Sequence, residues 1–103
     1  MTDVLDPFRL DGKVAVLTGA GSGIGKATAE LFASVGASLI LGDIDETAVT
    51  ATADAITAAG GDAVALRCDI TQKSESEALV GRAVADHGRL DVMGNIAGVP
   101  HNR

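Results

Sequence analysis

Residues 18–25 read Thr18-Gly19-Ala20-Gly21-Ser22-Gly23-Ile24-Gly25, with a glycine at every second position from Gly19 onward. What flanks this stretch limits the folds that can hold it. Before it, residues 13–17 (Lys-Val-Ala-Val-Leu) are apolar beyond the lysine and show no polar alternation, the pattern of a strand buried on both faces of a parallel sheet. After it, Ile24, Ala27, Leu31, Phe32 and Val35 recur at the spacing of one helical face, and Gly36 supplies a stop. A strand therefore reverses into a helix through glycines, the junction that opens a βαβ unit.

The alternation continues along the chain. Residues 38–41 form a second apolar run, and Asp45 can cap a helix reaching about Ala59, where Gly60-Gly61 ends it. Residues 63–67 are a third strand, weakened by alanine, a poor strand former. Thr71 is placed to cap a third helix that carries Leu79, Val80, Ala83 and Val84 on one side and ends near Gly88. Gly81 inside that helix costs about 1 kcal/mol relative to alanine, so the helix depends on packing. Residues 90–96 read as a fourth strand. Strands alternating with helices of this length predict an α/β fold, a Rossmann-type doubly wound parallel sheet with right-handed crossovers. The usual order 3-2-1-4-5-6 leaves four strands in the order 3-2-1-4. The expected organisation of the 103 residues is one partial dinucleotide-binding domain: a leader at 1–10, a βαβαβαβ core at 11–99 and a tail at 100–103.

Glycines at the junction let backbone N–H groups approach a phosphate, and the positive end of the following helix stabilises its charge. A tight turn without any ligand would need the same glycines. The spacing is not GxGxxG, because Ile24 and Lys26 stand where the third glycine would fall, and no Gly-Lys-Ser/Thr follows as in a nucleoside triphosphate loop. It is TGxxxGxG, with Gly19, Gly23 and Gly25 as the fixed glycines. The second strand ends at Gly42-Asp43, and Asp43 stands 18 residues beyond Gly25, near the spacing at which an acidic residue meets an adenosine ribose. Its carboxylate can accept from both ribose hydroxyls and would repel a 2′-phosphate, and neither Ser22 nor Ile44 offers a guanidinium to offset that. The expected cofactor is NAD rather than NADP. Asp43 as a turn or cap residue is the alternative.

Taken together, these residues resemble the short-chain dehydrogenase/reductase family over residues 10–99. Leu10-Asp11-Gly12-Lys13-Val14-Ala15-Val16-Leu17-Thr18-Gly19 is similar to the family's first strand, and Cys68-Asp69-Ile70-Thr71 to its adenine-side segment. Gly88-Arg89-Leu90-Asp91-Val92 followed by Asn95-Ile96-Ala97-Gly98 is similar to its fourth strand and Asn-Asn-Ala-Gly motif, with Ile96 in place of the second asparagine and Gly94 where a bulky residue is common. The resemblance implies that Gly19, Ser22, Gly23, Ile24 and Gly25 surround the pyrophosphate and ribose. It further implies that Asp43, with Ile44 beside it, holds the adenosine hydroxyls, that Asp69 and Ile70 border the adenine, and that Asn95 and Ala97 lie beside the cofactor. For Asp69 a turn or cap carboxylate remains the alternative.

The resemblance also implies a Tyr-x-x-x-Lys pair for proton transfer, aided by a serine and a further asparagine. The chain contains no tyrosine, and only Pro100, His101, Asn102 and Arg103 follow Val99. The catalytic half is therefore expected to lie outside it, and neither His87 nor His101 is expected to take the tyrosine's place. The fourth strand becomes a sheet edge, so self-association or dependence on a complementing segment is expected. A net charge of −6 without a basic cluster argues against nucleic acid. No apolar run reaches the roughly 18 residues of a membrane span, the first ten residues lack the apolar core of a signal peptide, and the single cysteine permits no internal disulfide. A cytoplasmic protein is expected. Two other readings stay open: a non-catalytic nucleotide-binding or regulatory module, and an assembly protein whose fourth-strand edge pairs with a partner.

Overall fold

The computed structural model describes residues 9–96. Four strands and three helices alternate: β1 (Val14–Thr18), α1 (Gly23–Ser34), β2 (Ser38–Asp43), α2 (Glu46–Ala58), β3 (Asp62–Arg67), α3 (Lys73–His87) and β4 (Val92–Asn95). All strand pairs are parallel and the order is β3-β2-β1-β4, as the pattern predicts. Central β1 is buried along its whole length. Alternate residues serve opposite layers. Ala15 and Leu17 pack with Leu39, Leu41, Ala29, Val49, Ala53 and Ile56 under α1 and α2. Val14, Val16, Ile40 and Cys68 pack with Leu79 and Ala83 of α3 on the other face. Burying side chains such as Leu17, Leu39, Ile40 and Leu41 contributes roughly 1.5–3 kcal/mol each, which is why an unalternating apolar strand belongs at the centre.

Helix boundaries follow the expected stops, but two helix faces differ from the periodic reading. On α1, Ile24 is 77% and Leu31 61% exposed, and Ala27 is exposed too, whereas Gly25 and Ala29 are the buried residues. Two candidate stripes lie one residue apart on this helix. The small one wins because glycine and alanine let the helix axis come close to β1, and the larger residues fall to the side. On α3, Leu79 and Ala83 are buried as expected, but Val80 is only half-buried and Val84 is exposed. Thr71 does not cap α3. The cap position is Gln72, without a side-chain cap bond, because Asp69 claims both the N–H and the hydroxyl of Thr71 in a turn of its own. Asp45 does cap α2, accepting from the N–H of Ala48 at 3.0 Å.

Strand β4 begins at Val92, two residues later than the pattern suggests, since Asp91 anchors the chain before the ladder starts. Its backbone N–H donates to the carbonyl of Val14, and its Oδ2 accepts the Val14 N–H at 2.8 Å. Arg89 grips the same carboxylate with two hydrogen bonds, at 2.8 and 2.7 Å. Gly94, the departure noted at this strand, has a packing reason: a Cβ there would stand 2.7 Å from Cδ2 of Leu17. The space a larger residue would fill is taken from β1. Within the described residues β4 pairs only with β1, so it is an edge of this sheet. Among them no helix is long and apolar enough to cross a membrane.

The Arg89 hydrogen bonds, and next the Val14 N–H, hold the Asp91 carboxyl below the usual carboxylate range. A carboxyl whose folded value lies below its unfolded value of about 3.9 stabilises the fold above that value and loses the contribution as pH falls through the folded value. Asp91→Asn is therefore expected to be less stable than the parent chain at pH 7. In urea denaturation across pH, the gap should narrow once pH drops below about 5 and close in stronger acid. A gap that is constant with pH would contradict an ionic anchor at β4.

Candidate functional site

Three strand ends meet where β1 gives way to the glycine turn. In the registers of the sheet Thr18 stands opposite Gly42 on one side and Asn95 on the other, so residues 19–25 rise from a floor made by the carboxyl ends of β1, β2 and β4. Gly19 (φ 69°) and Gly23 (φ 57°) adopt the left-handed conformation that side-chain-bearing residues rarely take. Gly25 is glycine for a different reason: a Cβ there would run into the carbonyl oxygen of Gly19. Helix α1 can thus begin directly against the end of the strand that feeds it.

The start of α1 is left without the devices that close off α2. Its cap residue Ser22 makes no side-chain hydrogen bond and its first turn holds no acidic residue, whereas α2 has both the Asp45 cap and Glu46. The N–H of Lys26 is bonded to the carbonyl of Ser22. By helix geometry those of Gly23, Ile24 and Gly25 have no intrahelical acceptor. Ser22, Gly23 and Ile24 are exposed while Gly25 is buried. A cluster of N–H groups at the positive end of a helix suits an anion, and no side chain blocks the approach at Gly23, where a Cβ would meet nothing within 4 Å.

Asp43 closes this floor from the β2 side. Its Oδ2 accepts the Gly21 N–H at 2.9 Å and its Oδ1 accepts the N–H of Asp45 at 3.0 Å. The carboxylate is therefore aimed at the glycine turn. Ile44, next in sequence, is exposed. Across the sheet Arg67 stands in register with Asp43, but its guanidinium lies 3.6 Å from Glu75 Oε1. On the β4 side the buried Thr18 hydroxyl donates to Asn95 Oδ1 at 2.8 Å, which ties the two strand ends together and leaves the amide N–H groups of Asn95 for another partner.

The segment after β3 is built around Asp69. Its Oδ1 accepts the hydroxyl of Thr71 at 2.7 Å and the N–H of Thr71 at 3.0 Å, and these bonds, the hydroxyl's first, hold the carboxyl below its usual range. Ile70 is half-buried against the α3 layer. Sequence reasoning passed over Glu75, whose Oε1 accepts the N–H of Asp69 at 2.8 Å while facing Arg67. Its signal was available: a glutamate three residues after the cap position of a helix commonly turns back to satisfy backbone donors ahead of it. Cys68 is buried, and burial, ahead of the Glu75 charge, pushes its thiol up from the usual value, as befits a packing residue.

Ala97 and His101 lie outside the described residues. His87 is far from the turn, 4.0 Å from Asp62 at the opening of β3, the opposite end of the sheet. A cavity of about 300 Å³ lined by residues such as Ala33, Ile56 and Gly61 also lies toward that far end and has no bearing on the strand-end site.

The short chain dehydrogenase family profile matches residues 13–103. The 7alpha-hydroxysteroid dehydrogenase of Escherichia coli (strain K12) is 47% identical over 93 residues, covering 90% of this chain and 36% of the relative. A solved short chain dehydrogenase/reductase from Burkholderia phymatum, in complex with NAD, superposes with a TM-score of 0.80 at 43% identity, covering 84% of this chain and 31% of that one. A 7 alpha-hydroxysteroid dehydrogenase complexed with NADH and 7-oxo glycochenodeoxycholic acid gives 0.83 at 45% identity, covering 90% and 36%. The chain belongs to the short-chain dehydrogenase family. It spans about a third of the length of the relatives it matches.

Proposed function

We propose that this chain forms the NAD(H)-binding part of an oxidoreductase that moves hydride between NAD(H) and an alcohol/carbonyl pair, with NAD preferred over NADP. The observation that carries the reading is the Asp43 carboxylate facing the glycine turn, 2.9 Å from the N–H of Gly21. A negative group there suits ribose hydroxyls, which can donate to it, and opposes a 2′-phosphate. The guanidinium nearest in register, that of Arg67, is drawn toward Glu75 rather than left to receive such a phosphate. The NAD and NADH held by the two solved relatives support the same choice.

In this reading Gly19, Ser22, Gly23, Ile24 and Gly25 border the pyrophosphate and its ribose, with the N–H groups at the start of α1 taking the charge. Asp43 and Ile44 flank the adenosine sugar, Asp69 and Ile70 the adenine, and Asn95 and Ala97 lie beside the cofactor at the end of β4. The residues present fit such a group: the turn is open at Gly23, uncapped at Ser22 and rigidly backed at Gly25. Bound NAD(H) supplies the hydride chemistry. With no tyrosine in these 103 residues, the family's proton-transferring pair cannot come from them, so we infer that the chain alone binds without turnover. A purely nucleotide-binding role is the second reading that the same composition favours. A cytoplasmic location accords with the single buried thiol.

Calorimetric titration tests the cofactor reading. NAD is expected to saturate the chain, NADP to bind at least about tenfold more weakly, a difference near 1.4 kcal/mol, and Asp43→Arg to abolish NAD saturation. Equal affinities would overturn the preference, and saturation by neither dinucleotide would overturn the cofactor assignment.

The edge strand supports a further part of the proposal. Met93 on β4 is 46% and Val84 on α3 51% exposed, and the outer ladder of β4 has no partner among the described strands. Exposed apolar side chains beside an open parallel edge favour association. We infer that the chain self-associates or takes up a complementing segment. Sedimentation velocity over a concentration series is expected to show species larger than the monomer. A single monomeric boundary with a sharp cooperative thermal transition would count against it.

A further inference from the structure

We propose that Asp43 is the latch of the glycine turn as well as its sugar reader, so that one carboxylate sets both the cradle and the ribose contact. The second half of this statement rests on the cofactor reading above; the latch itself does not. Gly21 is buried in a slot between the last residue of β2 and the first turn of α2. Its N–H donates to Asp43 Oδ2, and the N–H of Ala20 before it donates to the Gly42 carbonyl at 3.2 Å. A Cβ on Gly21 would stand 2.9 Å from both Asp43 Oδ2 and the Cβ of Ala48. The other carboxylate oxygen is held by the N–H of Asp45, so the carboxylate itself cannot swing without giving up a second bond.

Two consequences follow for binding. The Gly21 N–H is spent on Asp43 and does not serve an anion; the cradle is left to residues 22–25, whose direction is set by where Gly21 is pinned. Each carboxylate oxygen keeps lone-pair capacity, so ribose hydroxyls can share the acceptor that already holds the turn. A change at position 43 made to admit a 2′-phosphate would remove repulsion at the sugar and at the same time release the turn. Affinity for both dinucleotides would then fall.

Electrostatics alone predicts the opposite sign for a bare anion. Removing a carboxylate beside a phosphate site should strengthen binding of inorganic pyrophosphate, whereas releasing a latch should weaken it. The test measures backbone amide exchange at Gly21 in the ligand-free chain, and pyrophosphate affinity by titration. Asp43→Ala is expected to speed Gly21 exchange about tenfold, the loss of one charge-assisted hydrogen bond, and to weaken pyrophosphate binding. Asp43→Asn has one carbonyl oxygen for the two backbone donors; with that oxygen on the Gly21 N–H it gives up the Asp45 bond but keeps the latch, so its pyrophosphate affinity should stay closer to the parent's than that of Asp43→Ala. Gly21→Ala pushes the turn off an intact, charged carboxylate and should weaken pyrophosphate binding as Asp43→Ala does, with the double variant little worse than either. Unchanged Gly21 exchange, tighter pyrophosphate binding by Asp43→Ala, or additive effects in the double variant would overturn the proposal. If Asp43→Ala does not fold, the Asn and Gly21 variants decide it. Should the parent chain bind neither NAD nor pyrophosphate, the cofactor reading fails, and Gly21 exchange still decides the latch.

Discussion

The carbonyl oxygen of Gly19 lies so close to Gly25 that no side chain can stand between them, and the rest of the strand-end site is arranged around that approach. It brings the first turn of α1 directly against the end of β1, with two left-handed glycines absorbing the reversal. From this follow the buried Gly25 and Ala29 face of α1, its close seat over Leu17 and Leu39, and the outward aim of the N–H groups that begin the helix. A methyl group at position 25 would move the helix away from the sheet and the donors with it.

Around this contact the strand ends are tied to one another by polar side chains rather than by apolar packing. Asp43 joins β2 to the turn, Thr18 joins β1 to Asn95 of β4, and Glu75 joins α3 to the segment after β3. A typical hydrogen bond of this kind contributes only about 1 kcal/mol net, but leaving a partly buried donor unmet costs more. These ties therefore set positions more than they add stability. The side chains that the cofactor reading places at the sugar and the adenine, Asp43 and Asp69, already accept backbone N–H groups, and Asn95 at the inner end of the crevice already accepts the Thr18 hydroxyl. In the proposed reading, recognition and local structure therefore draw on the same groups.

The order of elements could be read directly from the chain, because a buried strand, a glycine junction and a periodic helix each leave a local pattern. Asp43 was visible for the same reason, being an acidic residue at the end of an apolar strand at a telling distance from the turn. What could not be read depended on contacts distant in sequence. Which of two adjacent stripes α1 buries depends on how near the axis can come to β1, and that is decided by Gly25 against Gly19 rather than by hydrophobicity. Gly94 looked like a defect in a strand until Leu17 is seen to occupy its space. Thr71 had the chemistry of a helix cap but is taken by Asp69, and the strand at β4 is shortened by an anchor, Asp91, that acts on Val14 from 77 residues away.

In the proposed cofactor reading, backbone N–H groups at the start of α1 hold the diphosphate of NAD while Asp43 receives the sugar. Nitrogen-15 amide chemical-shift mapping during NAD addition tests it most directly. The largest shifts are expected at Ser22, Gly23, Ile24 and Gly25, with a second group at Ile44 and Asp45 beside the Asp43 carboxylate. Saturable binding that leaves those amides unmoved, with shifts concentrated elsewhere on the chain, would contradict it.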